Sequence, residues 1–175
     1  NYIGLAEPNV KGVDAAGGSM GYGLPFGVGY AISKKLKGEE GTVYVIMSDG
    51  EQAIGTTWES ALIAAHHQLD NLVVIVDYNG FQAMGKTNEV LNLEPLEEKW
   101  SDFGWNGIKI DGHNYGQIER VIEAAGWKTQ YMVTLEGEPK QAPFFIIAKT
   151  IKGKGISFME GLLDWHYKNV NEEDY

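Results

Sequence analysis

Residues 44–79, YVIMSDGEQAIGTTWESALIAAHHQLDNLVVIVDYN, decide the fold. An apolar run over 43–47 ends in Ser48-Asp49-Gly50, a helical pattern over 56–69 follows, and a second apolar run over 72–76 ends in Asp77-Tyr78-Asn79. This is strand, helix, strand. Two adjacent parallel strands then deliver a carboxylate, Asp49, and a carboxamide, Asn79, to one sheet edge, the carboxyl edge where open α/β sheets bind ligands. Both are hard oxygen donors that follow strands whose burial would be costly for an unpartnered polar group. Such a pair suits Mg²⁺, which takes one or two protein carboxylates and completes its shell with water and substrate phosphates. A diphosphate is the natural third party, because Gly50 permits close backbone approach and the following helix offers its N-terminal amides.

Asn79 follows Asp49 by thirty positions. The stretch resembles the Mg²⁺ and thiamine diphosphate motif of the thiamine diphosphate enzymes, G-D-G and then, after a βαβ-length interval, N. Ser48 stands where the first glycine is usual.

With 175 residues and 43% apolar composition, the chain can bury one core, and its length favours a single domain over 1–175. A net charge of −10 and a pI near 4.8 argue against nucleic acid or an anionic membrane as partner. The sequence contains no apolar run long enough to span a bilayer. Without cysteine it has neither a disulfide framework nor a thiolate metal site, which fits a cytoplasmic protein. Residues 1–18 lack the basic and apolar regions of a signal peptide and read as a loop, a hint that sequence upstream is missing or unnecessary. Residues 168–175 read as an acidic, solvated tail.

Over 19–36, SMGYGLPFGVGYAISKKL, the residues Leu24, Val28, Ala31, Ile32 and Leu36 recur at helical spacing with glycines between them. Glycine weakens a helix, so this density points either to close packing of small residues or to a cofactor. The glycine spacing fails as a dinucleotide fingerprint. Gly18-Ser19-Met20-Gly21-Tyr22-Gly23-Leu24 does resemble the G-S-L-G-x-G-L segment of transketolases. That resemblance implies that Gly18 and Met20 contact the aminopyrimidine and thiazolium region of thiamine diphosphate.

The helix over 56–69 places Trp58, Ala61, Leu62, Ala65 and Leu69 on one face. His66 and His67 are neighbours on it and point apart, so they read as surface histidines rather than a metal pair. Pro95 opens a short amphipathic helix carrying Leu96, Trp100 and Phe103, and Gly104 closes it. A strand over 107–110 leads into Asp111-Gly112-His113, where the histidine is a ligand or a turn residue satisfied by its own backbone. A helix over 117–125, a polar excursion over 127–141, a buried strand in APFFIIAKT and a lysine-glycine loop with a short helix ending in Trp165-His166 complete the chain. The expected fold is α/β, a mainly parallel sheet flanked by helices with right-handed crossovers.

Further segments, DYNGFQ, NEVLNLEPLEEKWSDFGWN, IDGHN and KTIKGKGISFMEGLLDWH, resemble in order the N-terminal, diphosphate-binding subunit of split, two-chain transketolases. The resemblance covers nearly the whole chain. It implies Mg²⁺ held by Asp49, the Asn79 side chain and the Phe81 carbonyl. It implies thiamine diphosphate approached by Gly18, Met20, Gly50, Glu51, Asn79, Phe81 and Ala83, with His166 as a catalytic residue near cofactor or substrate. It implies two-carbon ketol transfer between sugar phosphates or related sugars, in a two-fold hetero-oligomer whose other member is a pyrimidine-binding, C-terminal subunit. That partner supplies the glutamate which activates the cofactor. The family also carries an upstream stretch of roughly a hundred residues, the size of a typical domain, which this sequence does not contain.

Departures accompany the matches. Ile54 replaces a glutamate that in the family joins a carboxylate network between two cofactor sites, and Ala83 and Met84 replace Ile and Asp. Three readings stay open: a catalytic half of a split transketolase, a degenerate relative kept for assembly, and a component of another thiamine diphosphate enzyme such as a 2-oxoacid decarboxylase. The KWSDFGWN, DGH and KGKG segments disfavour the last.

Overall fold

A computed structural model of the chain describes residues 11–13, 17–126 and 141–171. The N-terminal loop, the polar excursion over 127–141 and the acidic tail expected from the sequence fall wholly or partly outside these residues.

β1 (Val43–Ser48), β2 (Leu72–Tyr78), β5 (Asn106–Asp111) and β6 (Phe144–Lys149) form one sheet in the order β1-β2-β6-β5, and every pairing is parallel. Asp77 of β2 stands opposite Ser48 of β1, so the residues after each strand, Asp49 and Asn79, leave the sheet side by side. The expected parallel α/β architecture is therefore present. The position of β6 between β2 and β5 had no signature in the sequence.

The strands alternate with period two, and each set has its own helices. Leu72, Val74, Val76, Val45, Met47, Phe145 and Ile147 pack on one face with α1 (Gly23–Lys37) and α2 (Gly55–His66). Val73, Phe144, Ile146, Ala148 and Ile110 pack on the other with Val121 and Ala125 of α5 (Tyr115–Gly126). Burying both faces explains why β2 and β6 read as continuous apolar runs. The two edge strands are the exceptions, with Ile46 of β1 76% and Ile108 of β5 44% exposed on the α5 side.

α1 begins at Gly23, four residues later than the apolar spacing predicts, because residues 19–21 form a turn. It lies so close to β1 that a Cβ at Gly27 would collide with Val45 Cγ2, which accounts for that glycine in a buried helix position. Leu36 and Leu62, placed on core faces by spacing alone, are exposed instead, at 82% and 56%. Leu36 lies in the last turn of α1, and on α2 the buried residues are Thr57, Ser60, Ala61 and Ala64, all small enough to bring the helix against the sheet.

α4 (Leu96–Asp102) carries Trp100 into the core, where its ring meets Trp58, Trp105 and Phe145 at centroid distances of 5.3, 4.8 and 6.1 Å. Buried indole N–H groups need acceptors. Trp105 Nε1 donates to the Ala61 carbonyl at 2.9 Å, Trp58 Nε1 to the Gln52 carbonyl at 2.9 Å, and Trp100 Nε1 to Gln52 Oε1 at 3.1 Å. Two tryptophans thus pin Gln52, in the 3₁₀ turn Gly50–Ala53 that directly follows Asp49.

Candidate functional site

Asp49 is fully buried at the end of β1. Its Oδ1 accepts from the Asn79 amide at 3.2 Å, and its Oδ2 accepts from the Gly80 amide at 2.8 Å and the Thr87 hydroxyl at 2.9 Å. Thr87 reaches the carboxylate because a small hairpin, β3 (Phe81–Gln82) and β4 (Gly85–Lys86), folds the chain back through Ala83 and Met84 and opens the one-turn α3 (Thr87–Val90). Burial pushes the Asp49 carboxyl above its ordinary value, with a further push from Asp77, against the three hydrogen bonds that hold it down. No salt bridge among the described residues reaches it.

Asn79 forms a tight local turn in which its Oδ1 accepts from the Phe81 amide at 3.0 Å. Its Nδ2 lies 3.4 Å from Asp77 Oδ2, and Asp77 Oδ1 in turn accepts from the Thr150 hydroxyl, past the end of β6. The loop carrying Asn79, Phe81 and Thr87 is closed at its base, where the Tyr78 hydroxyl donates to Glu94 Oε1 at 2.6 Å. Burial and the adjoining Glu94 push the Tyr78 hydroxyl well up, while the Tyr78 and Leu96 donors hold Glu94 low.

The donor chemistry fits a hard divalent cation. A buried carboxylate surrounded only by neutral donors leaves a charge that calls for a cation, and the neighbouring carboxamide and backbone carbonyls supply oxygen ligands. No group of three or more His, Asp or Glu able to hold a metal occurs among the described residues. An ion here would rest on Asp49, Asn79 and Phe81, with its shell finished by ligand oxygens such as those of a diphosphate.

Beside this end lies an open cleft of about 310 Å³, lined by the turn over 17–20, by Tyr22, Gly23 and Phe26 of the α1 entry, and by Glu51. The cleft gathers Gly18, Met20 and Glu51. A Cβ at Gly50 would meet Met20 Cε at 2.6 Å, so the methionine tip rests on the glycine that follows Asp49. The other candidates are not part of this lining: Asp49, Gly50, Asn79 and Phe81 follow the ends of β1 and β2, Ala83 sits in the hairpin turn, and His166 is exposed in the short turn Leu163–His166 with its ring 4.8 Å from that of Tyr167.

Sequence reasoning missed Thr87, Gly80, Asp77 and Thr150. Thr87 carries no signal beyond following a short turn, and the Asp77–Thr150 pair depends on β6 lying next to β2. His113 differs from its expected self-contained turn. Its Nε2 accepts from the Ile151 amide at 2.8 Å, which joins the β5 turn to the loop after β6. His66 and His67 are both exposed as expected, but their rings do not point apart: they meet edge to face at 5.0 Å, because α2 ends at His66 and His67 is its cap.

The family described as "Transketolase, thiamine diphosphate binding domain" matches residues 4–175. The chain is 35% identical over 166 residues to one of the subunits of the apulose-4-phosphate transketolase of Phocaeicola vulgatus, covering 95% of this chain and 55% of that protein. It is 40% identical over 162 residues to the SqwG polypeptide of the 6-deoxy-6-sulfo-D-fructose transketolase of a Clostridium species, covering 93% and 55%. The chain thus spans about half the length of these curated relatives. The crystal structure of transketolase from Campylobacter jejuni superposes with a TM-score of 0.77 at 28% identity, over 87% of this chain and 23% of that one.

Proposed function

The chain belongs to the transketolase family through its thiamine diphosphate-binding domain, and from that premise we propose that it is the diphosphate- and Mg²⁺-binding half of a two-carbon ketol transferase acting on sugar phosphates or related sugars. The carrying observation is the buried Asp49, which lacks a cationic partner among the described residues and stands beside Asn79 at adjacent strand ends. Bound thiamine diphosphate would supply the carbanion chemistry of ketol transfer. The chain's own part is to hold the metal with Asp49, Asn79 and the Phe81 carbonyl, and to seat the rest of the cofactor along Gly18, Met20 and Gly50. A cation would offset the cost of burying the Asp49 charge, so metal and diphosphate bind together.

A pyrimidine-binding partner chain completes the site in this reading. The 17–20 cleft is open to the outside, and Tyr22, Phe26 and Tyr30 follow one another along α1 beside it, 56%, 48% and 48% exposed. Apolar aromatic surface at the mouth of a cofactor cleft is suited to a protein interface. The two relatives, each named as one subunit of a transketolase, support the same division, and a two-fold hetero-oligomer in the cytoplasm goes with it. A degenerate assembly component is the second reading, favoured by Ile54, an apolar side chain packed against the Gly21 turn of the cleft.

Mixing the chain with its pyrimidine-binding partner, Mg²⁺, thiamine diphosphate, a ¹³C-labelled ketose donor and an aldose acceptor tests the proposal. Label should move to the acceptor only when both chains are present. Cofactor binding by the pair without label transfer, across phosphorylated and free sugars, would favour the assembly role.

A further inference from the structure

Glu51 was expected to touch the cofactor, yet both of its carboxylate oxygens are committed to the protein backbone. Oε1 accepts from the Gly21 amide at 3.2 Å, and Oε2 accepts from the Ser48 amide at 2.9 Å. Ser48 is the last residue of edge strand β1 and immediately precedes Asp49, while Gly21 belongs to the turn that carries Gly18 and Met20. One side chain therefore bridges the two ends of the site. The same glycine is held from its other side, since the Thr56 hydroxyl donates to the Gly21 carbonyl at 2.9 Å. Gly21 has φ +81°, and any Cβ there would collide with Ile54 Cγ2, so only glycine lets the turn sit this close to α2.

The bridge is itself anchored. The Glu51 carbonyl accepts from the Thr57 hydroxyl at 2.7 Å, and the next residue, Gln52, is the one pinned by Trp58 and Trp100. Hydrogen bonds to a carboxylate are stronger than neutral ones, and two from separate segments fix the relative position of those segments. A turn with three glycines between 17 and 21 has little stiffness of its own.

We propose that Glu51 is a positioning residue, a carboxylate bridge that sets the spacing between the Asp49 end of the site and the Gly18–Met20 turn, and so governs ligands that must span both ends. The proposal rests on the reading of the cleft as a thiamine diphosphate site. Its consequence is selective: a ligand occupying only the metal and diphosphate end is indifferent to Glu51, whereas one reaching the turn is not.

The test compares two probes on the chain reconstituted with its partner, Mg²⁺-pyrophosphate for the metal end alone and Mg²⁺-thiamine diphosphate for the full span. Glu51→Gln must turn its amide toward one of the two backbone N–H groups and loses that bond. It should weaken thiamine diphosphate by about tenfold, the scale of one hydrogen bond to a charged group, and leave pyrophosphate unchanged. Thr56→Val, which releases the other side of Gly21, should show the same selectivity. Amide exchange at Gly21 should quicken in both variants. Equal weakening of both probes would mean Glu51 merely supports the end of β1, and no weakening of either, or tighter pyrophosphate alone, would make it an idle or repulsive charge. Each outcome overturns the bridge. If the wild-type pair binds pyrophosphate but shows no preference for thiamine diphosphate, it is the cofactor reading that fails, and the bridge's role falls with it.

Discussion

Asp49 and His166 are the two proposed site residues whose surroundings differ most. Asp49 is fully buried, fixed by two backbone amides and a hydroxyl, and stands on a turn pinned by two tryptophans. His166 is exposed, and Tyr167 is its aromatic neighbour in the loop after β6. The surroundings of Asp49 are thus preorganised within the chain, whereas His166 has little around it to fix its side chain. A division of this kind is what a site completed by a second chain requires.

The largest expected effect is at Asp49. Asp49→Ala removes the only carboxylate of the inferred metal set, and should weaken Mg²⁺-dependent thiamine diphosphate binding by the reconstituted pair by more than about a hundredfold, beyond the range usual for outer-shell partners. Calorimetry that found near-normal binding in a folded variant would remove Asp49 from the metal site. Thr87→Val tests the shell around it. Loss of the hydroxyl should cost about tenfold in Mg²⁺ affinity while Thr87→Ser retains most of it, because the hydroxyl orients the carboxylate rather than holding the ion.

A smaller effect sharpens the electrostatic side. Burial raises the Asp49 carboxyl above its ordinary 3.8 in the metal-free chain. A carboxyl raised on folding binds its proton more tightly in the folded state, so its stabilisation is full below the unfolded value and lost as pH rises through the folded one. Metal-free wild type should therefore lose stability relative to Asp49→Ala as pH rises from 3.8 toward neutrality, measured by denaturant unfolding of both chains. A difference that does not vary with pH would mean that the Asn79, Gly80 and Thr87 donors offset burial completely. At the other extreme, His166→Ala should leave cofactor affinity within roughly twofold, the scale of an exposed substitution, while lowering the rate of label transfer. A large loss of affinity would place His166 within the diphosphate end.

The sequence made the core of this account legible because it depends on local periodicity and on one interval. The apolar runs ending at Asp49 and Asn79 had to be adjacent parallel strands, and Trp100 and Leu96 had to face inward from a short helix. What stayed hidden depends on long-range pairing. Thr87 meets Asp49 only because a hairpin turns through Ala83 and Met84, and Asp77 meets Thr150 only because β6 enters beside β2. Helical spacing misplaced Leu36 and Leu62 for a related reason: it marks an apolar stripe, and which part of the stripe is covered depends on where the sheet ends. Glu51 was assigned to the site, but its bridging of Gly21 and Ser48 reaches a residue thirty positions away and has no local signature.

The most direct measurement is a calorimetric titration of thiamine diphosphate with Mg²⁺ into this chain alone and into the chain with its pyrimidine-binding partner. In the proposed reading, the Asp49 cluster preformed within one chain and the open cleft beside the 17–20 turn predict weak binding alone and tight binding by the pair. Equally tight binding by the isolated chain would contradict the divided site, and absence of binding in both states would contradict the cofactor assignment itself.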